Sequence, residues 1–221
     1  MILIIKGLIV GLGKIIPGVS GSILAIRLNI YEDMIYSINN LFNKKSIIFL
    51  TKIGIGIVLA IIFGSNIITY LLSKFYLVTM ILFTVLIATG IPSVIKESSN
   101  YFLSLLSCII YLILLNIPNI NIFNNYFFIG FLESLTTIIP GISGTALFMS
   151  FGLYDELLYL FSNIYLINIG ILLPFSIGFI IGTIIVVKFI DYCLNNYKSK
   201  TYSVILGLLI GSIITMIQSF I

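Results

Sequence analysis

Histidine and tryptophan are absent from the 221 residues, and only 8% of the chain is charged. The first absence removes the commonest general base and the commonest zinc ligand, so any chemistry here proceeds without imidazole. The shortage of charge, set beside 60% hydrophobic residues and a mean hydropathy of +1.26, excludes an ordinary soluble globular domain. Cysteine is scarce as well. Cys108 and Cys193 fall in or beside apolar segments, where they read as small buried side chains rather than a disulfide or metal ligands. The eleven Lys and Arg residues are spread along the chain instead of massed in a tail, so nothing points to nucleic acid. No basic stretch precedes the first apolar run and no small-residue cleavage site follows it, so the first helix is expected to stay in the protein. No cofactor is implied.

What is present is a series of nearly uncharged stretches, several of about 18 residues or more, enough to cross a hydrocarbon core of about 30 Å. The expectation is a single polytopic, all-α integral membrane domain over residues 1–221. The apolar segments are Ile2–Ile16, Ser22–Ile30, Ser46–Leu72, Tyr76–Ile95, Tyr101–Ile117, Tyr126–Ile139, Thr145–Leu153, Ile164–Ile190 and Tyr202–Ile221. The short ones come in two pairs, each joined by a Pro-Gly-x-Ser-Gly phrase. Ile15–Ser22 reads IIPGVSGS and Ile138–Thr145 reads IIPGISGT, identical at six of eight positions.

Each short pair is a re-entrant hairpin or a broken helix that crosses, and short lysine-rich loops, which stay cytoplasmic, discriminate between the two. With two re-entrant hairpins the chain crosses five times, placing Lys44, Lys45, Lys96, Lys198 and Lys200 on one side and only Lys74 on the other. With two crossings the same lysines split evenly. The re-entrant arrangement is therefore expected, with the N-terminus inside and the C-terminus outside the cytoplasmic membrane.

The likeness extends past the motif. Tyr31, Glu32 and Asp33 follow Pro17 at the distances at which Tyr154, Asp155 and Glu156 follow Pro140, and Gly54 in the next span is echoed by Gly178. The helix Tyr101–Ile117 alone has no counterpart, which gives an odd number of crossings between the motifs and inverts one half against the other. Residues 1–95 form the first repeat, 96–125 a linking helix and loop, and 126–221 the second repeat. Inverted repeats with broken elements place a transporter's site at the breaks.

Non-helical backbone at membrane depth is tolerated only where it is buried in protein or lines a polar cavity. Pro17 and Pro140 end the first half-helices, and Gly18, Gly21, Gly141 and Gly144 permit close approach. The second half-helices then start at Gly21 and Gly144, with first-turn amides free to meet an anion. Ser20, Ser22, Ser143 and Thr145 are placed to cap those amides or to donate to phosphate oxygens. Lys14, Arg27 and Glu133 are the charges in or beside the hairpins, and intramembrane charge is expensive. Lys14 and Arg27 fit a counter-charge role or snorkel to the headgroups. Glu133 fits a coupling-proton role or pairs with one of them. The plain alternative for the whole motif is small-residue helix packing with capping hydroxyls.

PGVSGS followed by NIYED, and PGISGT followed by GLYDE, resemble the two halves of the bacterial polyprenyl-phosphate transporter family, formerly known only as a membrane domain of unknown function. The resemblance covers nearly the whole chain. It implies transport of undecaprenyl phosphate, the carrier lipid of cell-envelope glycan synthesis, from the outer to the inner leaflet. The family's motif positions fall on Pro17, Gly18, Ser20, Gly21, Pro140, Gly141, Ser143 and Gly144. The family pattern usually continues Gly-Gly-Thr where this chain has Gly21, Ser22 and Ile23, and often has an acid where Lys14 stands. That lysine weakens acid-based proton coupling in the first half and strengthens anion binding. Partners are accordingly an anionic polyprenyl phosphate and the bilayer, with proton or sodium coupling left open. The rival is a transporter or channel for a small soluble anion, whose site would be sealed from lipid. A lipid phosphatase would need a base or acid cluster that the sequence lacks.

Overall fold

The computed structural model describes residues 1–16, 20–116, 125–151 and 169–218, and all the regular structure among them is helical. In chain order the helices are α1 (Ile2–Ile15), α2 (Gly21–Arg27), α3 (Tyr31–Asn39), α4 (Lys44–Leu59), a π-helical turn (Ala60–Gly64), α5 (Ser65–Lys74), α6 (Tyr76–Ala88), α7 (Ile91–Glu97), α8 (Tyr101–Leu115), α9 (Tyr126–Ile138), α10 (Gly144–Ser150) and α11 (Ile169–Gln218). Among the described residues three helical stretches are long and apolar enough to cross a membrane: Lys44–Gly64, Tyr76–Glu97 and Ile169–Gln218. Their outer faces leave Phe63, Val78, Leu82 and Phe189 more than half exposed. Uncovered apolar faces of that extent suit lipid, not water.

The last of these stretches is two helices. Tyr197 leaves helical geometry at φ −138°, ψ 39°, and the arms 169–196 and 198–218 face one another across a cleft, Phe189 and Cys193 opposite Val204 and Leu208. Each arm exceeds the roughly 20 residues a crossing needs, and the described parts of the expected spans Ile164–Ile190 and Tyr202–Ile221, residues 169–190 and 202–218, fall one on each arm. The expected span Tyr101–Ile117 is represented by α8, whose 15 residues give only about 22 Å.

Glycine sets how closely the helices cross. A Cβ on Gly7 would strike the Ile53 carbonyl of α4, one on Gly56 would strike Ile4 of α1, and one on Gly11 would meet Ala60 at 2.7 Å. Early residues of α1 thus meet early residues of α4, later ones meet later ones, and the two helices run parallel. The same arrangement recurs between α9 and the first arm of α11. Gly130 abuts Phe175, Gly178 abuts Phe127, and Gly182 abuts Ser134. Gly7 and Gly130 are 123 residues apart, the separation of the two Pro-Gly phrases. The glycine equivalent to Gly178 in packing is Gly56, while Gly54, the echo read from the sequence, has open space around it.

Between α1 and α4 the chain doubles back. Gly13 packs on Gly21 and Leu24 of α2, and the Lys6 ammonium donates to the Leu28 carbonyl at 2.8 Å, so α2 retraces α1 toward its start. That return is what lets α4 set out in the same direction as α1.

One end of the bundle is held by polar contacts. The Tyr202 hydroxyl donates to Glu32 at 2.7 Å, and Lys198 pairs with Glu32 at 2.9 Å and with Glu97 at 3.8 Å. Together with Asp33 and Lys96 these residues line a cavity of about 440 Å³. Lys96 and Lys198, expected on one side of the membrane, therefore share one end of the molecule.

Candidate functional site

Both Pro-Gly phrases interrupt a helix as their chemistry requires. Ile16 and Ile139 take extended backbone at the ends of α1 and α9, and α2 and α10 begin at Gly21 and Gly144 with Ser20 and Ser143 as extended N-caps. The two serines diverge in detail. Ser143 accepts from the Ala146 amide at 3.2 Å, whereas the Ser20 and Ser22 hydroxyls hydrogen-bond to one another at 2.6 Å. Ser20 therefore does not cap with its side chain. Pro17 and Gly18 lie outside the described residues, as do the Thr145 side chain and residues 154–156.

Gly141 has a φ of +90°, a conformation that disfavours any side chain. A Cβ there would also meet the Leu209 amide nitrogen at 2.6 Å, so the second break lies directly on the second arm of α11. Two buried tyrosines close the backbone around it. The Tyr31 hydroxyl donates to the Ile138 carbonyl at 3.1 Å, and the Ser143 amide donates to the Tyr111 hydroxyl at 3.1 Å. Helix-end groups buried at a break need such partners. Tyr111→Phe keeps the ring and removes the hydroxyl to which the Ser143 amide donates. Loss of that one hydrogen bond is expected to cost about 0.5–1.5 kcal/mol, a fall in melting temperature of about 1–6 °C for a chain of this size. Thermal unfolding in detergent would read it.

The charges converge where the two breaks meet. Lys14, three residues before Pro17, donates to the hydroxyl of Thr137, three residues before Pro140. The same ammonium lies 3.5 Å from Oε1 of Glu133. The Thr136 hydroxyl shares its proton between the Glu133 backbone carbonyl at 3.0 Å and Oε2 at 3.2 Å, and Thr137 donates to Oε1 at 3.3 Å. A Cβ on Gly144 would lie 3.0 Å from the Thr136 hydroxyl and 3.7 Å from Glu133 Oε2. One ammonium, one carboxylate, two threonine hydroxyls and the start of α10 thus occupy a single neighbourhood. The Lys14 and Glu133 side chains retain 32% and 21% of their exposure, so water or a polar group reaches them.

Arg27 is not part of this cluster. It occupies the exposed last turn of α2, the end remote from Gly21. Glu133 takes the pairing role with Lys14 that the sequence left as one alternative. Thr136, Thr137 and Tyr111 were not singled out from the sequence, and Tyr31 was noted only as part of the repeat. For Thr137 a signal existed, because it occupies the second copy's equivalent of Lys14.

Residues 10–219 match the family model described as undecaprenyl phosphate translocase-like. The chain belongs to that family. A polyprenyl-phosphate transporter from Staphylococcus aureus is 31% identical over 95% of this chain and 83% of its own length. A polyprenyl-phosphate transporter from Vibrio cholerae is 24% identical over 95% of this chain and 75% of its own length. No solved structure matches. Both relatives are named as transporters, which agrees with a translocase-like membrane protein whose apolar helices are long enough to span. In this member of the translocase-like family the doubled phrase surrounds a charged, half-buried cluster.

Proposed function

We propose that the chain is a flippase that carries undecaprenyl or a closely related polyprenyl phosphate across the bacterial cytoplasmic membrane, returning the carrier lipid for cell-envelope synthesis. The observation that carries this reading is the reach of Lys14, from the first phrase, to Thr137 and Glu133 beside the second. A cation shared between two helix breaks is the arrangement an anionic headgroup needs. The names of the relatives point the same way.

The two phrases belong to re-entrant hairpins in inverted-topology repeats. The parallel runs of α1 with α4, and of α9 with the first arm of α11, support this. That arm ends just before Lys198, which pairs with Glu32 close to where α2 returns, so α9 heads toward the end that α1 leaves. The hairpins then enter from opposite faces, with the N-terminus inside and the C-terminus outside.

The phosphate sits among Lys14, Thr136, Thr137 and the free amides at Gly21 and Gly144. With seven residues each, α2 and α10 contribute local unpaired amides more than a macrodipole. Ser20, Ser22, Ser143 and Thr145 supply hydroxyls, and Pro17, Gly18, Pro140 and Gly141 hold the breaks open. Arg27, at the exposed end of α2 on the side of the N-terminus, draws the headgroup as it leaves toward the inner leaflet. Glu133 is released from Lys14 when phosphate takes its place, and is the group to which a coupling proton would go.

Leaflet exchange of a fluorescent polyprenyl phosphate in proteoliposomes tests this. Gly144→Ala pushes a methyl onto the Thr136 hydroxyl at the mouth of the amides and should lower exchange about tenfold while leaving the fold intact. Exchange no faster than in empty vesicles for the unaltered protein, with a proton or sodium gradient imposed, would defeat lipid transport and favour a small soluble anion.

A further inference from the structure

The cleft between the two arms of α11 is a second feature of the site. It encloses about 320 Å³ and is walled by Leu103 of α8, Ile139, and residues of both arms, including Ile190, Cys193 and Val204. Three observations give it a direction. At one end stands Ile139, the extended residue of the second break, and Gly141 packs directly on Leu208 and Leu209 where the cleft closes. At the other end stand Tyr197 and Lys200, the ammonium 5.7 Å from the ring centroid. Along its flank Phe189 is 60% exposed, so the cleft opens sideways on the apolar surface that faces lipid. From Lys200 to Leu208 is about 12 Å of helix rise.

We propose that this cleft seats the first isoprene units of the lipid substrate while its phosphate occupies the cluster around Lys14 and Glu133. The assignment rests on the transport reading above. The chemistry favours an isoprenoid over other occupants for a positional reason. A free anion has no use for an apolar crevice, and an ordinary membrane lipid has no reason to dock at the helix break. A phosphate attached to an oily chain must leave the headgroup site through an apolar exit, and the cleft abuts the break and opens toward lipid. The tail near the phosphate is then recognised by protein, and only its remainder extends into the bilayer.

Cys193 is a native reporter inside the cleft, half-buried and in no disulfide. Its alkylation by N-ethylmaleimide, followed by peptide mass spectrometry on the unaltered protein in liposomes, measures occupancy. Geranylgeranyl phosphate should slow modification at least fivefold, whereas inorganic phosphate and dioleoyl phosphatidic acid should leave it unchanged. Leaflet exchange is followed in the same vesicles. Exchange with Cys193 unprotected would overturn the cleft assignment and leave the transport reading standing. Equal protection by phosphatidic acid would also overturn it, as a general lipid crevice. Neither exchange nor protection would remove the transport reading, and the cleft assignment with it.

Discussion

Gly178→Ala is expected to cost about 3 kcal/mol or more, at the upper end of what overpacking does, and to lower the melting temperature in detergent by about 6–12 °C. The reason is backbone, not side chain. The added methyl falls on the carbonyl of Phe127 in α9, and a carbonyl in a helix cannot rotate away. Relief requires the two helices to separate along the stretch where Gly130 and Gly182 also touch. Membrane helices gain association from close van der Waals approach rather than from a hydrophobic drive, so separation forfeits the main attraction. Gly54→Ala on α4 is the internal comparison. Nothing lies within 4 Å of its added methyl, and a better helix former replaces glycine at an open position, so stability should stay level or rise by up to about 1 kcal/mol. Equal losses at both positions would mean that glycine acts through helix flexibility and that the close crossings do not matter.

That contrast also marks where the sequence was legible. The two Pro-Gly phrases announce helix breaks because proline and glycine act locally, and the chain does break after Ile15 and after Ile138, restarting at Gly21 and Gly144. Which glycine in a span meets its neighbour depends on rotation about the helix axis, which a two-letter Ile-Gly echo does not carry. Gly54 was matched to Gly178 by its preceding isoleucine, yet Gly56 is the residue that faces α1. Composition likewise exposes the apolar spans but not that Tyr197 bends α11 without a proline or glycine at the bend. In the site, Lys14 and Glu133 stood out because charge is rare in such segments. Their meeting across 119 residues is a product of packing. Threonine is common and unremarkable in an apolar helix, and only the pairing of equivalent positions in the two copies marks out Thr137.

Lys14→Gln is expected to lower polyprenyl phosphate exchange by about 10–100-fold, the range that corresponds to losing one charge-assisted hydrogen bond of about 1.5–3 kcal/mol. The single variant has an ambiguity, because it also strands the Glu133 carboxylate that Lys14 faces at 3.5 Å. A carboxylate losing its ion partner in a half-buried place disturbs the fold whether or not the lysine binds substrate. The double variant Lys14→Gln with Glu133→Gln separates the two roles. Glutamine at both positions removes the stranded charge and can hydrogen-bond to Thr136 and Thr137, so thermal unfolding should return close to that of the unaltered protein. If the pair is purely structural, exchange returns with stability. If Lys14 is the cation that holds phosphate, exchange stays low in a folded protein. The charge-reversed variant, Lys14→Glu with Glu133→Lys, sharpens the choice. It restores an ion pair but moves the cation onto α9, two turns before the second break. Exchange recovered there would mean that the site needs only one positive charge between the breaks. Exchange still lost, with the fold intact, would fix the requirement on the first copy, where Lys14 stands three residues before Pro17.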